Sequence, residues 1–321
     1  MSTVTPVVNR GPQRSLPERV ALHFKKYWQL HLLALPAVIL LILFSYAPMF
    51  GVVLAFQNYT AKGGFFGSQW VGFKNFEFLF ATTDAWRITR NTVLYNVAFL
   101  AVNTSLSVLL AILFNELYFR KLAKTLQTMI IMPNFLSMAV IAIVAYAFLK
   151  GGRSGLLNQV IIAFGGKPRD WYIYKPIWPF LLVLINAWKG VGYGSIVYVA
   201  SISGISQEYY EAAVLDGATK YQQARYVTLP HLKKIIVIML ILNIGSLMRG
   251  DFGLFYNVTQ NNGALYEYTD VIDTYIYRAL KMLGNTGMSA AANLYQSAVG
   301  FVLVIAANLV VRRIDEESAL F

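Results

Sequence analysis

Apolar and polar positions alternate in long blocks along this chain, not at the short periods of a soluble domain. Six apolar stretches stand out, approximately Leu32–Phe56, Thr92–Phe114, Leu126–Leu149, Ile177–Ile202, Leu232–Met248 and Asn293–Val311. A bilayer core is crossed by about 20 residues in helical form, where every backbone polar group finds an internal partner. The pattern therefore predicts an all-α polytopic membrane protein of about six transmembrane helices, entered from a basic tail over residues 1–30. One soluble core holding all six stretches would leave almost no polar residues to coat it. The fifth stretch is the weakest, because Asn243, Gly245 and Ser246 interrupt it.

Within the spans a few residues predict local departures. Pro133-Asn134 should kink the third span, since proline removes a backbone donor. Gly190 and Gly194 share one face of the fourth at small-xxx-small spacing, which lets another helix come close. Of the polar connections, 249–292 is the longest. Its middle, Tyr268 to Leu280, sets Val271, Ile272, Tyr275 and Leu280 among polar residues, which suits an amphipathic helix.

The connection 204–230 carries the sharpest signal, E-A-A-x3-G-x9-V-x-L-P from Glu211-Ala212-Ala213 through Gly217 to Leu229-Pro230. Ser206 can cap a short helix whose first turn holds Glu208. Glu208, Glu211, Ala212 and Leu215 fall at i, i+3, i+4 and i+7, hence on one face, acidic at the tip and small in the middle. Asp216-Gly217 ends the helix, glycine taking the left-handed conformation. Thr219 to Tyr226 forms a second helical stretch. Pro230 disfavours helix at Leu229 and opens the fifth span in its first turn. Helix, turn, helix and span in succession make a device rigid enough to transmit a push.

Charge orients the device. The net charge is +12. Arg10, Arg14, Arg19, Lys25 and Lys26 precede the first span, and Arg120, Lys121 and Lys124 fill a compact turn. Lys220, Arg225, Lys233, Lys234, Arg312 and Arg313 would fall on the same side. Basic residues favour the cytoplasm, so both termini and the 204–230 connection are expected there, the first span remaining as an uncleaved anchor. Lys150, Arg153, Lys167, Arg169 and Lys175 lie on the other side. Basic residues on both faces suit anionic lipid headgroups, not nucleic acid. With no cysteine there is no thiolate chemistry or Cys-type metal site, and His23, His31 and His231 read as interfacial anchors. No metal site and no catalytic set emerges. Gly165-Gly166-Lys167-Pro168 lacks the spacing of a phosphate-binding loop, so the chain holds no nucleotide of its own.

The 204–230 pattern resembles the cytoplasmic coupling loop of bacterial ABC importer permeases, and the likeness to sugar-type permease subunits runs along most of the chain. Trp70–Phe76 is similar to their outside loop, Met132–Ser137 to their third span, and Trp188–Gly194 to their fourth. Asp270–Arg278 and Leu294–Ser297 resemble the branch handling oligosaccharides and polysaccharide fragments, the first permease subunits of alginate importers above all. Val227 replaces the family's usual Ile, and Arg249-Gly250-Asp251 is more charged than that position usually is. The resemblance implies a second, homologous permease subunit, two ABC ATPase subunits that bind ATP and magnesium, and an extracytoplasmic substrate-binding protein. It implies that Glu208, Glu211, Ala212, Ala213, Asp216, Gly217, Leu229 and Pro230 couple this chain to the ATPases.

Polar groups at membrane depth usually face a cavity. The candidates for an oligosaccharide path are Asn186, Trp188, Lys189 and Tyr193, then Asn243, Arg249, Asn293 and Gln296. Trp and Tyr would stack on sugar rings, Asn and Gln would bond hydroxyls, and Lys189 and Arg249 would suit carboxylates. The alternative class is an ion-gradient-driven secondary carrier. The six spans hold no Asp or Glu for proton coupling, although sodium can use backbone carbonyls. A membrane-embedded enzyme would need an acid–base pair or activated nucleophile at bilayer depth, and none is present.

Overall fold

The computed structural model describes Leu22, residues 25–77 and residues 82–314. Arg10, Arg14, Arg19 and His23 of the basic tail lie outside them. The chain falls into two units, dividing between Val53 and Leu54. The first contains α1 (Trp28–Leu41), which accommodates Pro36 and is followed by a π-helical stretch, Ile42–Tyr46. A 3-10 stretch then runs from Ala47 to Phe56.

In the second unit, β1 (Gln57–Asn58) pairs antiparallel with β2 (Gln69–Trp70). Phe56 stacks on Trp70 with ring centroids 5.5 Å apart. The bundle consists of α2 (Thr83–Glu116), α3 (Arg120–Ile131), α4 (Met138–Leu149), α5 (Leu156–Ala163) and α6 (Trp178–Ser203). It continues with α7 (Gln207–Leu215), α8 (Lys220–Gln223), α9 (Leu229–Ile244), α10 (Ile272–Lys281) and α11 (Thr286–Ile314). Among the described residues five helical segments can cross a membrane, or six if the bent pair Arg120–Phe135 and Met138–Leu149 is one span.

α2 packs along α6. One apolar cluster gathers Trp178, Leu182, Leu254, Phe255, Val258 and Leu265, and another gathers Val108, Ala111, Tyr198, Ile202 and Leu232. In lipid such packing gains little from water exclusion, so close fit and hydrogen bonds hold the helices. The glycines show where fit is tightest. A Cβ on Gly194 would lie 2.7 Å from Ser107 Oγ, and one on Gly192 only 2.1 Å from the Ile130 carbonyl oxygen. Gly190, expected to share the close approach with Gly194, meets nothing nearer than 3.7 Å. Gly192 is the more demanding position, because α3 touches α6 backbone to backbone.

The third span is not one rod. α3 and α4 are bent by 97° about the segment around Pro133. Leu136 and Ser137 are extended, and Ser137 caps α4 by accepting from the Val140 N–H at 3.3 Å. Pro133 predicted a kink, but the break is complete because a partner satisfies the carbonyls it frees. That partner is Lys189. The fifth span also differs from expectation. Helix runs from Lys220 to Ile244 through Leu229 and Pro230, Leu229 having φ −63 and ψ −41. A π-helical stretch, Ala224–Thr228, widens the turn under the proline, which relieves the clash that would otherwise end a helix there.

The connection beyond α9 is anchored by buried ionic bonds. Arg278 Nη2 donates to both Asp270 carboxylate oxygens at 2.6 Å, and Thr274 Oγ1 donates to Asp270 Oδ1 at 2.8 Å. Asn91 of α2 donates to the backbone carbonyls of Glu267 and Asp270 at 3.2 and 3.0 Å. The amphipathic helix expected over Tyr268–Leu280 is α10, with Ile272, Thr274 and Ala279 buried.

Candidate functional site

α7 begins as its sequence dictates. Ser206 Oγ accepts from the Glu208 N–H at 3.3 Å. At the other end Gly217 takes φ +77, the Ala218 N–H reaches the Ala213 carbonyl at 2.8 Å, and the Gly217 N–H reaches that of Val214 at 3.0 Å. These two bonds close a Schellman turn, which needs the left-handed glycine. α8 starts two residues later from a capping box, the Thr219 N–H donating to Gln222 Oε1 at 2.7 Å and the Gln222 N–H to Thr219 Oγ1 at 3.3 Å.

Three contacts tie this device to the spans. The Tyr210 and Thr228 hydroxyls lie 2.9 Å apart, and the Tyr209 ring sits 5.1 Å from His231. Lys220 Nζ pairs with Glu116 Oε2, at the end of α2, at 3.1 Å. Lys220 is largely exposed, so this ion pair adds little stability and chiefly fixes position. Gln223, buried beneath, donates to the Ala218 carbonyl at 3.1 Å. Glu208, Glu211, Ala212, Asp216 and Gly217 are all exposed, Ala213 is half-buried, and Leu215 is 89% exposed. The i, i+3, i+4, i+7 face is thus held rigidly and is covered by nothing among the described residues. Leu229 and Pro230 stand apart from that face, in the first turn of α9.

The path candidates separate into two groups. Asn186, Asn243 and Arg249 line one cavity of about 320 Å³, together with Asn96, Asn103, Thr104 and Ser246. Asn103 Nδ2 donates to Asn186 Oδ1 at 2.8 Å, and Asn103 Oδ1 has no partner among the described residues. Asn243 Nδ2 turns back to its own helix at Met239 O, 2.7 Å away.

The others lie elsewhere. Lys189 Nζ donates to the carbonyls of Asn134 and Leu136 at 2.8 and 2.7 Å, so its ammonium is spent on the break in the third span. Gln296 is buried and donates to the Met248 carbonyl and, at 2.9 Å, to Asp273 Oδ2. Trp188 lines an apolar hollow with Ile141, Val144 and Phe148. Tyr193 and Asn293 are exposed away from the polar cavity. Sequence reasoning missed Asn96 and Asn103. Their spacing of seven on α2 was the available signal, since it puts two amides on one helix face at membrane depth.

Asp273 sits beside the cavity's upper rim, where its Oδ2 accepts from the Gly250 N–H at 2.5 Å. Burial pushes its carboxyl above the ordinary carboxylate range, and the bonds from Gly250 and Gln296 and the charge of Arg249 offset this only in part.

A bundle of membrane-length helices with a buttressed, solvent-facing helix–turn–helix and an amide-lined cavity has the architecture of a transport subunit. The model of the family described as binding-protein-dependent transport system inner membrane component matches residues 104–316, and the chain belongs to that family. It is 34% identical over 288 residues to the polygalacturonan/rhamnogalacturonan transport system permease protein YteP of Bacillus subtilis, covering 90% of this chain and 89% of the relative. Protein LplB of the same organism is 32% identical, with 90% of each chain covered. Among solved structures, a chain of a bacterial ABC transporter involved in import of the acidic polysaccharide alginate superposes with a TM-score of 0.84 at 30% identity. That match covers 92% of this chain and 99% of the other. A second structure, of a bacterial alginate ABC transporter in complex with alginate pentasaccharide-bound periplasmic protein, gives 0.83 at the same identity.

Proposed function

We propose that this chain is the permease subunit of an ATP-driven importer of polysaccharide-derived oligosaccharides, acidic ones among them, in a bacterial cytoplasmic membrane. The observation that carries the reading is the uncovered Glu208–Glu211–Ala212–Leu215 face of α7, buttressed by Tyr210 and Thr228 at the foot of α9. The face suits a groove on an ATPase subunit with basic residues at its mouth. α7 and both termini lie on the cytoplasmic side, in keeping with Arg120, Lys121, Lys124, Lys233 and Lys234 at that end. Two ATPase subunits bind ATP and magnesium, and a second, homologous permease completes the membrane part. An extracytoplasmic binding protein delivers the sugar. Closure of the ATPase pair pushes α7, and the push passes through the Schellman turn and α8 to α9 and through Lys220 to α2. This chain contributes geometry and makes or breaks no bond.

The acidic class is supported by relatives named for polygalacturonan/rhamnogalacturonan and alginate transport. Purification from mild detergent tests the assembly: an ATPase and a second permease should accompany the wild-type chain, and Glu211→Lys should lose the ATPase while keeping the permease. A chain that drives uptake on an ion gradient with no ATPase present would refute the reading.

A further inference from the structure

We infer that the Arg249 guanidinium is the carboxylate-reading group of a sugar subsite in the cavity between α2, α6 and α9, so that this chain selects uronate residues during passage. The inference rests on the reading of the chain as an oligosaccharide permease and adds a residue and a charge to it. Arg249 is held by its backbone: its N–H donates to the Ser246 carbonyl at 2.8 Å, and its carbonyl accepts from Asn96 Nδ2 at 3.0 Å. Its side chain lines the cavity and forms no ion pair among the described residues.

Two carboxylates lie close, Asp251 in the lining of the same cavity and Asp273 beside it, and each accepts a backbone bond. Asp251 Oδ1 accepts from the Leu254 N–H at 3.0 Å, capping the turn that follows. Asp273 is bonded to Gly250 and Gln296. Lys189, the basic residue of α6, is spent on carbonyls. The guanidinium is exposed toward the cavity and bonded to neither nearby carboxylate, although its charge acts on Asp273, and its planar fork matches the two oxygens of a carboxylate guest. The remaining walls suit the rest of a sugar ring. Asn186 keeps its amide donors free when its oxygen is taken by Asn103, and Asn103 Oδ1 is an acceptor without a partner among the described residues. A phosphate or a neutral sugar would satisfy the cavity less completely: the first carries more charge than one guanidinium offsets, and the second leaves Arg249 unpaired.

The test uses the complete importer in proteoliposomes, with both permeases, the ATPase subunits and saturating binding protein. ATP-driven uptake of two uronate trisaccharides, one from galacturonan and one from alginate, is compared for wild type, Arg249→Lys and Arg249→Gln. Stimulation of ATPase activity by loaded binding protein is measured in parallel. Arg249→Gln should lower uptake about tenfold, the scale of one lost charge-assisted pair, and Arg249→Lys should recover part of it. ATPase stimulation should change less than about twofold in both variants, because docking and coupling do not use this residue. Unchanged uptake in Arg249→Gln would overturn the inference, as would parallel loss of uptake and stimulation. A wild-type importer that moves neither trisaccharide would instead overturn the acidic substrate class, and the inference with it.

Discussion

The Tyr210 and Thr228 hydroxyls meet at 2.9 Å, across the angle between α7 and the π-helical stretch under α9. Thr228 is buried and Tyr210 half-buried, so the bond sits inside the joint. It ties the exposed helix to the foot of the fifth span.

Tyr210→Phe should therefore loosen transmission without unfolding the chain. A neutral hydrogen bond is worth about 1 kcal/mol, so uptake per ATP hydrolysed should fall a few-fold while membrane insertion and ATPase recruitment persist. Thr228→Val should do the same, and the double variant should be no worse than either alone. Simultaneous uptake and ATPase assays read this directly. Additive losses would place the two residues on separate routes.

Lys189→Met should act differently. Its ammonium satisfies the Asn134 and Leu136 carbonyls at the break between α3 and α4. An unsatisfied buried polar group costs about 1–3 kcal/mol, so thermal stability in detergent should drop clearly. Transport of acidic and neutral sugars should fall together, unlike the charge-selective loss at Arg249.

Gly192→Ala should destabilise more than Gly190→Ala. The added methyl would lie 2.1 Å from the Ile130 carbonyl oxygen at the first position and no nearer than 3.7 Å at the second. Overpacking costs about 1–3 kcal/mol, and here backbone must yield. Melting temperatures of the two variants decide the order.

Asp273 predicts a pH dependence. Its carboxyl is raised above the ordinary value of 3.8 by burial, so folding favours the protonated form. The stability it contributes is complete below that ordinary value and is lost as pH rises through the higher folded value. The melting-temperature advantage of wild type over Asp273→Asn should accordingly be largest at acid pH and shrink toward neutrality. An advantage that grows with pH would reverse the assigned cause.

The sequence exposed most of the architecture because lipid imposes a coarse rule on it: apolar runs of membrane length must be helices. Caps were legible for the same kind of reason, since Ser206 and Gly217 each satisfy a local backbone demand. Lys189 was not. A lysine in an apolar span reads as a path residue, and only the fold shows two carbonyls freed by a break some 50 residues earlier in the chain. Pro230 was legible in part: it stands in the first turn of α9 as expected, but Leu229 before it is helical because the π-helical turn absorbs the proline. The bond between Asp270 and Arg278 was half visible, both residues lying in one recognisable run, but their pairing depends on the path of the backbone between them.

If α7 is a lever pressed by a separate ATPase, a photo-crosslinking residue in place of Leu215, the most exposed apolar tip of that helix, reads the contact most directly. In the assembled importer the account predicts an adduct with an ATPase subunit whose yield changes between ATP-bound and nucleotide-free states. No adduct in an importer that still transports, or an adduct with the extracytoplasmic binding protein, would contradict it.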